Sequence, residues 1–128
     1  MNHYTKAVVK QLNGRSKVSL DFDGVLDTPK GKALAKRLIT QGFQLYIISA
    51  RNERLNKSVE KVAEEVGISK DRIYLTGSNS AKVDKIKSLG IERHYDNNMD
   101  VVKAVKKEGI EATLVNYWYE FIQHPNTS

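Results

Sequence analysis

The sequence predicts an α/β fold: one domain with a sheet of about five parallel strands and helices on both faces. Three observations lead to this prediction. Short apolar runs alternate along the chain with segments of helical periodicity. Each helical segment closes at a glycine followed at once by a large apolar residue, which is how many helices end. The length of 128 residues fits one domain and leaves little room for a second.

Five apolar runs are the predicted strands. The first contains Val18, Leu20 and Phe22, which alternate with polar residues as in a strand. The second, residues 43–49, is almost continuously apolar, which is typical of a strand covered on both faces. The remaining three runs are residues 72–75, 91–96 and 112–117.

Four segments between these strands have apolar residues three and four apart, the spacing of one face of a helix. Repetition of strand, helix and strand produces right-handed crossovers, so we expect a Rossmann-like, doubly wound sheet. The domain covers residues 1–128, and its core is predicted at about 17–116. A helix-like extension precedes the core at residues 1–16, and an aromatic tail follows it at residues 117–128.

Composition and charge narrow the class of protein. Cysteine is absent, which excludes disulfides, a thiolate nucleophile and a cysteine metal site. The N-terminus lacks the apolar segment of a signal peptide, and no apolar run approaches the ~20 residues that span a bilayer. We therefore expect a cytoplasmic protein without a membrane partner. The net charge of +6 favours anionic partners, but the lysines are scattered and form no dense basic tract.

Polar side chains are predicted at the carboxyl ends of three strands. Asp21 and Asp23 end the first strand, Ser49 ends the second and Asp96 ends the fourth. Lys82 lies at the start of the third helix. Ligands of doubly wound sheets bind at this edge, near the point where the strand order reverses. The sequence therefore predicts a polar site at this edge.

The residue types suit a site that binds a metal and a phosphate. Asp21 and Asp23 are two apart, so on a regular strand their side chains point the same way. Two carboxylates that close repel each other unless a cation or a shared proton lies between them. Asp96 adds a third carboxylate, and such hard oxygens suit Mg²⁺. Lys82 would offset the remaining charge and bind a phosphate, to which Ser49 offers a hydroxyl.

Each of these residues also has a structural interpretation when it is taken alone. An Asp-x-Asp pair is common in turns, and Ser49 has the position of a helix N-cap. A single lysine such as Lys82 is more often solvated, and Asp100 would favour the dipole of the fourth helix. Only the whole set, in this order and at these strand ends, favours a functional site.

Four short stretches carry a family resemblance. They are DFDGVLD at residues 21–27, the serine of LYIISAR (Ser49), the lysine of SAKVDKIKSLG and the acidic YDNNMD. In this order they resemble the four motifs of the haloacid dehalogenase-like superfamily of phosphohydrolases. The resemblance covers roughly residues 17–116. It gives Asp27 no role, although this residue belongs to the first stretch.

The resemblance implies a Mg²⁺-dependent phosphatase that acts through an aspartyl-phosphate. Asp21 would be the nucleophile. Asp23 would be the general acid that protonates the leaving oxygen and then the base that activates water. Ser49 and Lys82 would hold and neutralise the phosphoryl group, with Lys85 as the alternative lysine.

Mg²⁺ is the cofactor that the resemblance implies. Its expected ligands are Asp21, Asp96 and Asp23, the last through its backbone carbonyl. The fourth motif has Asn97 directly after Asp96 in place of a second aspartate. Asp100 is therefore the expected second acid of that motif, which completes the metal's shell or orients its waters.

Members of the superfamily often carry a cap domain, but neither of the usual insertion intervals is long enough here. Residues 23–31 separate the acidic pair from the first helix, and residues 77–91 hold one short helix. We therefore expect a cap-less, open site that large phosphoesters can reach. Water would be excluded by the substrate itself or by a second subunit of a homo-oligomer.

The sequence indicates the substrate less specifically than it indicates the reaction. The stretch SAR (residues 49–51) and the segment that begins DNNMD are loosely similar to the 3′-phosphatase domain of polynucleotide kinase-phosphatases. With the positive charge, this favours a nucleic-acid 3′-phosphate. Arg51 either clamps that substrate or makes a surface ion pair, and Asn97 is a second substrate-binding candidate. The aromatic tail would stack bases, cover the sheet edge or form a subunit contact.

Three other classes of protein stay open at this point. A signalling receiver, which accepts a phosphoryl group, also uses an aspartate, a hydroxyl and a lysine, but it does not need Asp23. A non-catalytic phosphate-binding module would not need both Asp21 and Asp23. A metal-dependent nuclease would need the acids without Ser49 and Lys82 at these strand ends.

Overall fold

Five parallel strands form one sheet in the computed structural model, which describes residues 16–117. The strands are β1 (Lys17–Leu20), β2 (Gln44–Ser49), β3 (Ile73–Leu75), β4 (Arg93–Asp96) and β5 (Glu111–Leu114). Their order across the sheet is β3-β2-β1-β4-β5, and all neighbours pair in parallel. The predicted Rossmann-like sheet is confirmed. The predicted N-terminal extension and aromatic tail lie almost entirely outside the described residues.

Four helices connect the strands: α1 (Pro29–Thr40), α2 (Lys57–Val66), α3 (Asn79–Ser88) and α4 (Met99–Lys107). Local chemistry sets their ends. Oγ1 of Thr28 caps α1 by accepting a 3.0 Å hydrogen bond from the amide of Gly31. Helix α2 ends at Gly67, whose φ of 94° is left-handed. No helix within residues 16–117 is long and apolar enough to cross a membrane.

Helices cover both faces of the sheet. Helices α1 and α2 pack on the face that carries Leu20 and Ile47, and α3 and α4 pack on the opposite face, against Tyr46 and Ile48. Because side chains alternate along a strand, β2 supplies apolar groups to both clusters. This explains why its sequence is an almost unbroken apolar run.

The chain changes direction across the sheet between β3 and β4. Strand β1 lies at the centre and pairs with β2 on one side and with β4 on the other. The connections that leave β1 and β4 lead in opposite directions, which opens a crevice at their carboxyl ends. The amide of Asp21 donates a 2.9 Å hydrogen bond to the carbonyl of Tyr95, so the residue after β1 stays attached to β4.

Strand β1 ends earlier than the sequence predicts. We expected Asp21 and Asp23 on a regular strand with both side chains on one side, but β1 ends at Leu20 and the wide turn Phe22–Leu26 follows. Two backbone hydrogen bonds that each span five residues close this turn, at 3.2 and 3.1 Å. Gly24 has a φ of 79°, which favours glycine. The turn therefore gives the two acids different surroundings.

Helix α1 packs directly against this turn. A Cβ atom at Gly31 would lie 1.6 Å from the carbonyl oxygen of Val25, so the close approach requires glycine. The hydroxyl of Thr28 donates a 2.6 Å hydrogen bond to the same carbonyl. The turn that carries both acids is thus fixed between β1 and α1. Within residues 16–117, β1 and α1 are joined by this turn without a further helix or strand, and α3 is the only helix between β3 and β4.

Candidate active site

Asp21, Lys82 and Asp96 meet in the crevice between β1 and β4. Nζ of Lys82 lies 2.9 Å from Oδ1 of Asp21 and 2.5 Å from Oδ2 of Asp96. The side chain of Lys82 is 2% exposed, and that of Asp96 is fully buried. The structure brings these groups together from the turn after β1, from α3 and from the end of β4.

Lys82, rather than the alternative Lys85, reaches the two acids. Lys82 lies in the first turn of α3 and points into the protein, whereas Nζ of Lys85 lies 5.0 Å from the ring centroid of Tyr74. A buried ammonium requires charged partners. One ammonium between two carboxylates leaves a negative charge uncompensated when both acids are ionised.

The surroundings of the two acids push their pKa values apart. Burial raises the pKa of Asp21 from 3.8 to about 6, although the charge of Lys82 opposes this effect. Burial also disfavours the ionised form of Asp96, but the hydrogen bond from His94 and the charge of Lys82 outweigh it and lower the pKa of Asp96 to about 2. Asp96 therefore stays ionised, while Asp21 is the more basic carboxylate of the pair.

Asp96 is supported by a buried histidine, His94, that no motif of the sequence singles out. Nε2 of His94 lies 2.7 Å from Oδ2 of Asp96, and Nδ1 lies 2.6 Å from Oγ of Ser19. Burial lowers the pKa of His94, which favours the neutral imidazole. The signal in the sequence was a polar residue two positions before the acid on each of two core strands.

Asp23 lies at the rim of the crevice and is bound to Arg51. Nη2 of Arg51 donates to Oδ1 of Asp23 at 2.8 Å, and Nε donates to Oδ2 at 3.3 Å. The side chain of Asp23 is 44% exposed. Arg51 also donates to the carbonyl of Leu55 and to Oγ of Ser58, and its guanidinium lies 5.0 Å from the ring centroid of Phe22. Of the two interpretations of Arg51, the structure shows the ion pair.

Ser49 ends β2 and is 1% exposed. Its Oγ accepts a 3.0 Å hydrogen bond from the amide of Arg51, so the hydroxyl shapes the loop after β2 and does not cap α2. Because Oγ is the acceptor in this bond, its hydroxyl hydrogen can be donated to a ligand. The carbonyl of Ser49 accepts from both the amide and the hydroxyl of Thr76, which ties this loop to β3.

Asp27 has a structural task that the sequence did not reveal. Its Oδ1 accepts a 2.8 Å hydrogen bond from the amide of Gly24, inside the turn that carries the two acids. Burial raises the pKa of Asp27, and the hydrogen bond from Gly24 opposes this effect. Asp27 thus holds the shape of the turn.

The donor chemistry of the crevice fits a divalent cation in part. The carboxylates of Asp21 and Asp96 both reach one cationic group, and hard oxygens that converge in this way suit Mg²⁺. No group of three acidic or histidine side chains converges as metal ligands in residues 16–117. Of the other two expected ligands, Asp23 would contribute its backbone carbonyl, which the ion pair between its carboxylate and Arg51 does not involve, and Asp100 is exposed in the first turn of α4.

Asn97, the second substrate-binding candidate, is partly exposed directly after β4. Its neighbour Asn98 caps α4, because Oδ1 of Asn98 accepts from the amide of Asp100 at 2.9 Å. The amide of Asn98 in turn donates to Oδ1 of Asp96 at 2.9 Å. The side-chain oxygen and the backbone amide of Asn98 therefore both hold the loop after β4.

Comparisons with known proteins support the fold. No protein-family model matches the chain, and no curated protein matches it. Among solved structures, the chain is similar to an uncharacterized protein from Corynebacterium glutamicum, with a TM-score of 0.59 and 14% identity. The similarity covers 88% of this chain and 93% of that chain. At this identity, the similarity shows the fold alone.

Two further similarities are to phosphatases. One is a putative 3-deoxy-D-manno-octulosonate 8-phosphate phosphatase from Vibrio cholerae, at 20% identity over 77% of this chain and 66% of that chain, with a TM-score of 0.47. The other is a 3-deoxy-D-manno-octulosonate 8-phosphate phosphatase from Moraxella catarrhalis, in complex with magnesium ion, phosphate ion and a KDO molecule. The identity is 25% over 82% of this chain and 70% of that chain, with a TM-score of 0.48. Similarities this weak do not assign an activity to this chain.

Proposed function

We propose that this protein is a Mg²⁺-dependent phosphomonoesterase that forms an aspartyl-phosphate on Asp21. The observation that carries the proposal is the buried group of Asp21, Lys82 and Asp96 at the reversal point of the sheet. There, one carboxylate is made basic by burial and the other is kept ionised. The resemblance of the four sequence motifs to the haloacid dehalogenase-like phosphohydrolases supports the same reaction.

Lys82 and Ser49 would bind the phosphoryl group. The ammonium of Lys82 already lies 2.9 Å from the Asp21 oxygen, so it would stabilise negative charge on a phosphoryl group bound next to Asp21. The hydroxyl of Ser49 adds a donor from the end of β2. Asp21 and Asp96 would hold Mg²⁺, with Asp100 and the Asp23 carbonyl as further ligands. When bound, the ion would neutralise charge between the nucleophile and the phosphate.

The reaction would proceed in two displacements. An oxygen of Asp21 attacks phosphorus, the bond from phosphorus to the ester oxygen breaks, and Asp23 gives that oxygen its proton. A water molecule then attacks the same phosphorus while Asp23 accepts a proton from it. The acyl-phosphate bond breaks, and phosphate leaves with Asp21 restored as a carboxylate.

Asp23 would have to leave Arg51 to take part. Its carboxylate is partly exposed and bound by one long side chain from the loop after β2, so its displacement disturbs no core packing. Arg51 would then be available to an anionic group of the substrate, as a planar guanidinium is well suited to phosphate. In this proposal Arg51 makes the ion pair with Asp23 in the free protein and clamps the substrate when it is bound.

The class of substrate that we propose is a large phosphoester, with a nucleic-acid 3′-phosphate first. The net charge of +6 favours polyanions, and within residues 16–117 the interval between β1 and α1 holds only a turn, which supports the open site that we expect. Closure by a second copy of the chain is the alternative and would favour small substrates such as sugar phosphates. A panel of oligonucleotides with 3′- or 5′-phosphates, nucleotides and sugar phosphates separates these classes.

The test of the reaction is hydrolysis of a generic aryl phosphate with Mg²⁺ by the wild type, Asp21→Asn and Asp23→Asn. We expect no activity above background for Asp21→Asn and a loss of about 10²–10⁴-fold in kcat for Asp23→Asn. Asp27→Asn is the matched control, because it makes the same chemical change in the same turn and keeps the Oδ1 acceptor. Full activity in Asp21→Asn would overturn the covalent mechanism. An inactive wild type that accepts phosphate from a small donor would be a receiver.

A further inference from the structure

A chain of buried polar groups runs through the face of the sheet that α3 and α4 cover. Oγ of Ser19 lies 2.6 Å from Nδ1 of His94, whose Nε2 lies 2.7 Å from Oδ2 of Asp96. The same oxygen of Asp96 lies 2.5 Å from Nζ of Lys82. Ser19, His94 and Asp96 are all fully buried. The other buried residues of this face form an apolar cluster, so this row of polar groups is a local exception.

One ring nitrogen of His94 faces a carboxylate oxygen, and the other faces a hydroxyl, which can donate or accept. An ionised Asp96 can only accept, so Nε2 of His94 carries a hydrogen and donates it. In the neutral imidazole Nδ1 is then an acceptor, and the hydroxyl of Ser19 donates to it. These polar groups thus connect Ser19 on β1 through His94 to Asp96 at the site.

Both oxygens of Asp96 are held by this arrangement. Oδ2 contacts His94 and Lys82, and Oδ1 accepts a 2.9 Å hydrogen bond from the amide of Asn98. A carboxylate with partners on both oxygens has no freedom to rotate. Without His94, Oδ2 would keep only the flexible side chain of Lys82 as a partner.

The register of the sheet places Ser19 and His94 side by side, next to the site. Ser19 and His94 are opposite each other on β1 and β4. Ser19 lies two residues before Asp21, which follows β1, and His94 lies two residues before Asp96, which ends β4. They therefore join the two strands whose ends deliver Asp21 and Asp96. An apolar pair would fill this position without the cost of burying polar groups, so a polar pair indicates a task beyond packing.

We propose that His94 and Ser19 are positioning residues, which hold the Asp96 carboxylate in the orientation that Lys82 and Mg²⁺ require. The inference rests on the proposed function for the identity of the ion, and it concerns residues that the four motifs do not include. Partners of this kind behind a metal-binding carboxylate usually change metal affinity by about 10–100-fold when they are removed. Neither residue contacts the reacting phosphate in this proposal.

The direct experiment is titration of the full chain with Mg²⁺ alone by calorimetry, without substrate. We expect His94→Leu to weaken Mg²⁺ binding by about 10–100-fold and Ser19→Ala to weaken it less. His94→Gln is the conservative variant, because its amide nitrogen can donate from nearly the place of Nε2, and it should recover most of the affinity. Val105→Ala is the control for lost packing, since it truncates a fully buried residue of the same face that takes no part in this row of polar groups.

Two further readouts keep the result clear if His94→Leu fails to fold. The nitrogen NMR spectrum of the imidazoles, assigned by loss of one set of signals in His94→Gln, should show His94 as the Nε2–H tautomer. In steady-state assays, Ser19→Ala should need more Mg²⁺ for half-maximal rate while its kcat at saturating Mg²⁺ changes less than about threefold. The Nδ1–H tautomer, or a lower kcat with unchanged Mg²⁺ dependence, would overturn the inference.

The outcomes separate this inference from the proposed function. An active wild type whose Mg²⁺ affinity is the same in His94→Leu, His94→Gln and Val105→Ala overturns the positioning role alone. An inactive wild type that binds Mg²⁺, with weaker binding in His94→Leu and recovery in His94→Gln, supports the positioning role and overturns the phosphatase.

Discussion

Asp21 and Asp23 stand two residues apart in the same motif, yet the structure places them in opposite surroundings. The side chain of Asp21 is 10% exposed and is bound to the buried Lys82. The side chain of Asp23 is 44% exposed and is bound to Arg51, a long side chain from a loop. Asp21 is therefore an interior residue, and Asp23 lies at the rim of the site.

One short motif therefore supplies two kinds of carboxylate. A buried acid is held by rigid elements, and burial changes its affinity for a proton. An acid at the rim can exchange protons with solvent, and its side chain can move without disturbing the core. These properties match the roles that we propose, a fixed nucleophile and a mobile acid and base. The turn Phe22–Leu26 is the structural device that separates them.

The largest effect that we expect comes from removing the buried cation that pairs with Asp21. Lys82→Met leaves Asp21 and Asp96 buried without their cation, which should lower the free energy of unfolding by about 3–5 kcal/mol. Urea denaturation measures the loss. Lys85→Met is the control on the same helix, and it should cost less than about 1 kcal/mol, because only a ring contact with Tyr74 is lost. Equal losses in the two variants would show that Lys82 is not the cation of the site.

A second experiment tests whether burial dominates at Asp21. Because its folded pKa of about 6 lies above the ordinary 3.8, the wild type loses stability as the pH rises from about 4 to 6. In metal-free buffer at pH 8, Asp21→Asn should therefore be more stable than the wild type by about 2–3 kcal/mol. The gain should shrink below pH 6 and vanish below about pH 4. A variant that is less stable than the wild type at pH 8 would show that the Lys82 pair outweighs burial.

A smaller effect is expected when the turn between the two acids is weakened. Asp27→Ala removes the acceptor of the Gly24 amide and should lower the free energy of unfolding by about 1 kcal/mol. Asp27→Asn keeps an oxygen at the same position and should lose less. Thermal unfolding of the two variants side by side measures the difference. If both lose the same amount, the charge of Asp27, and not its hydrogen bond, supports the turn.

The smallest effect on stability should come from the rim. Arg51→Ala removes the ion pair with Asp23, and a pair this exposed contributes about 1 kcal/mol or less. Under the proposed function the same variant should raise KM for phosphoesters, because the guanidinium is lost. Arg51→Lys is the matched variant that keeps the charge without the planar fork. A loss of stability as large as that of Lys82→Met would place Arg51 in the core of the fold instead of at its rim.

Much of the fold was predictable because its signals are local. The apolar runs and the helix-ending glycines predicted five parallel strands with helices on both faces, and the structure confirms them. The end of β1 was not predictable in this way. Its apolar alternation continues to Phe22, but the side chain of Asp21 accepts from the amide of Phe22, and Gly24 reverses the chain. A competing local hydrogen bond ended the strand.

The class of fold, and the positions of Ser49 and Asp96 at the ends of β2 and β4, could be predicted from the sequence alone, because periodicity and order along the chain are local properties. The sequence did not show which lysine reaches the two acids, nor that His94 and Ser19 lie behind Asp96, because both depend on tertiary packing. Ser19 and His94 are 75 positions apart in the sequence, and their contact depends on the register of β1 against β4. No local pattern contains that register, because it is set when the strands pack between their helices.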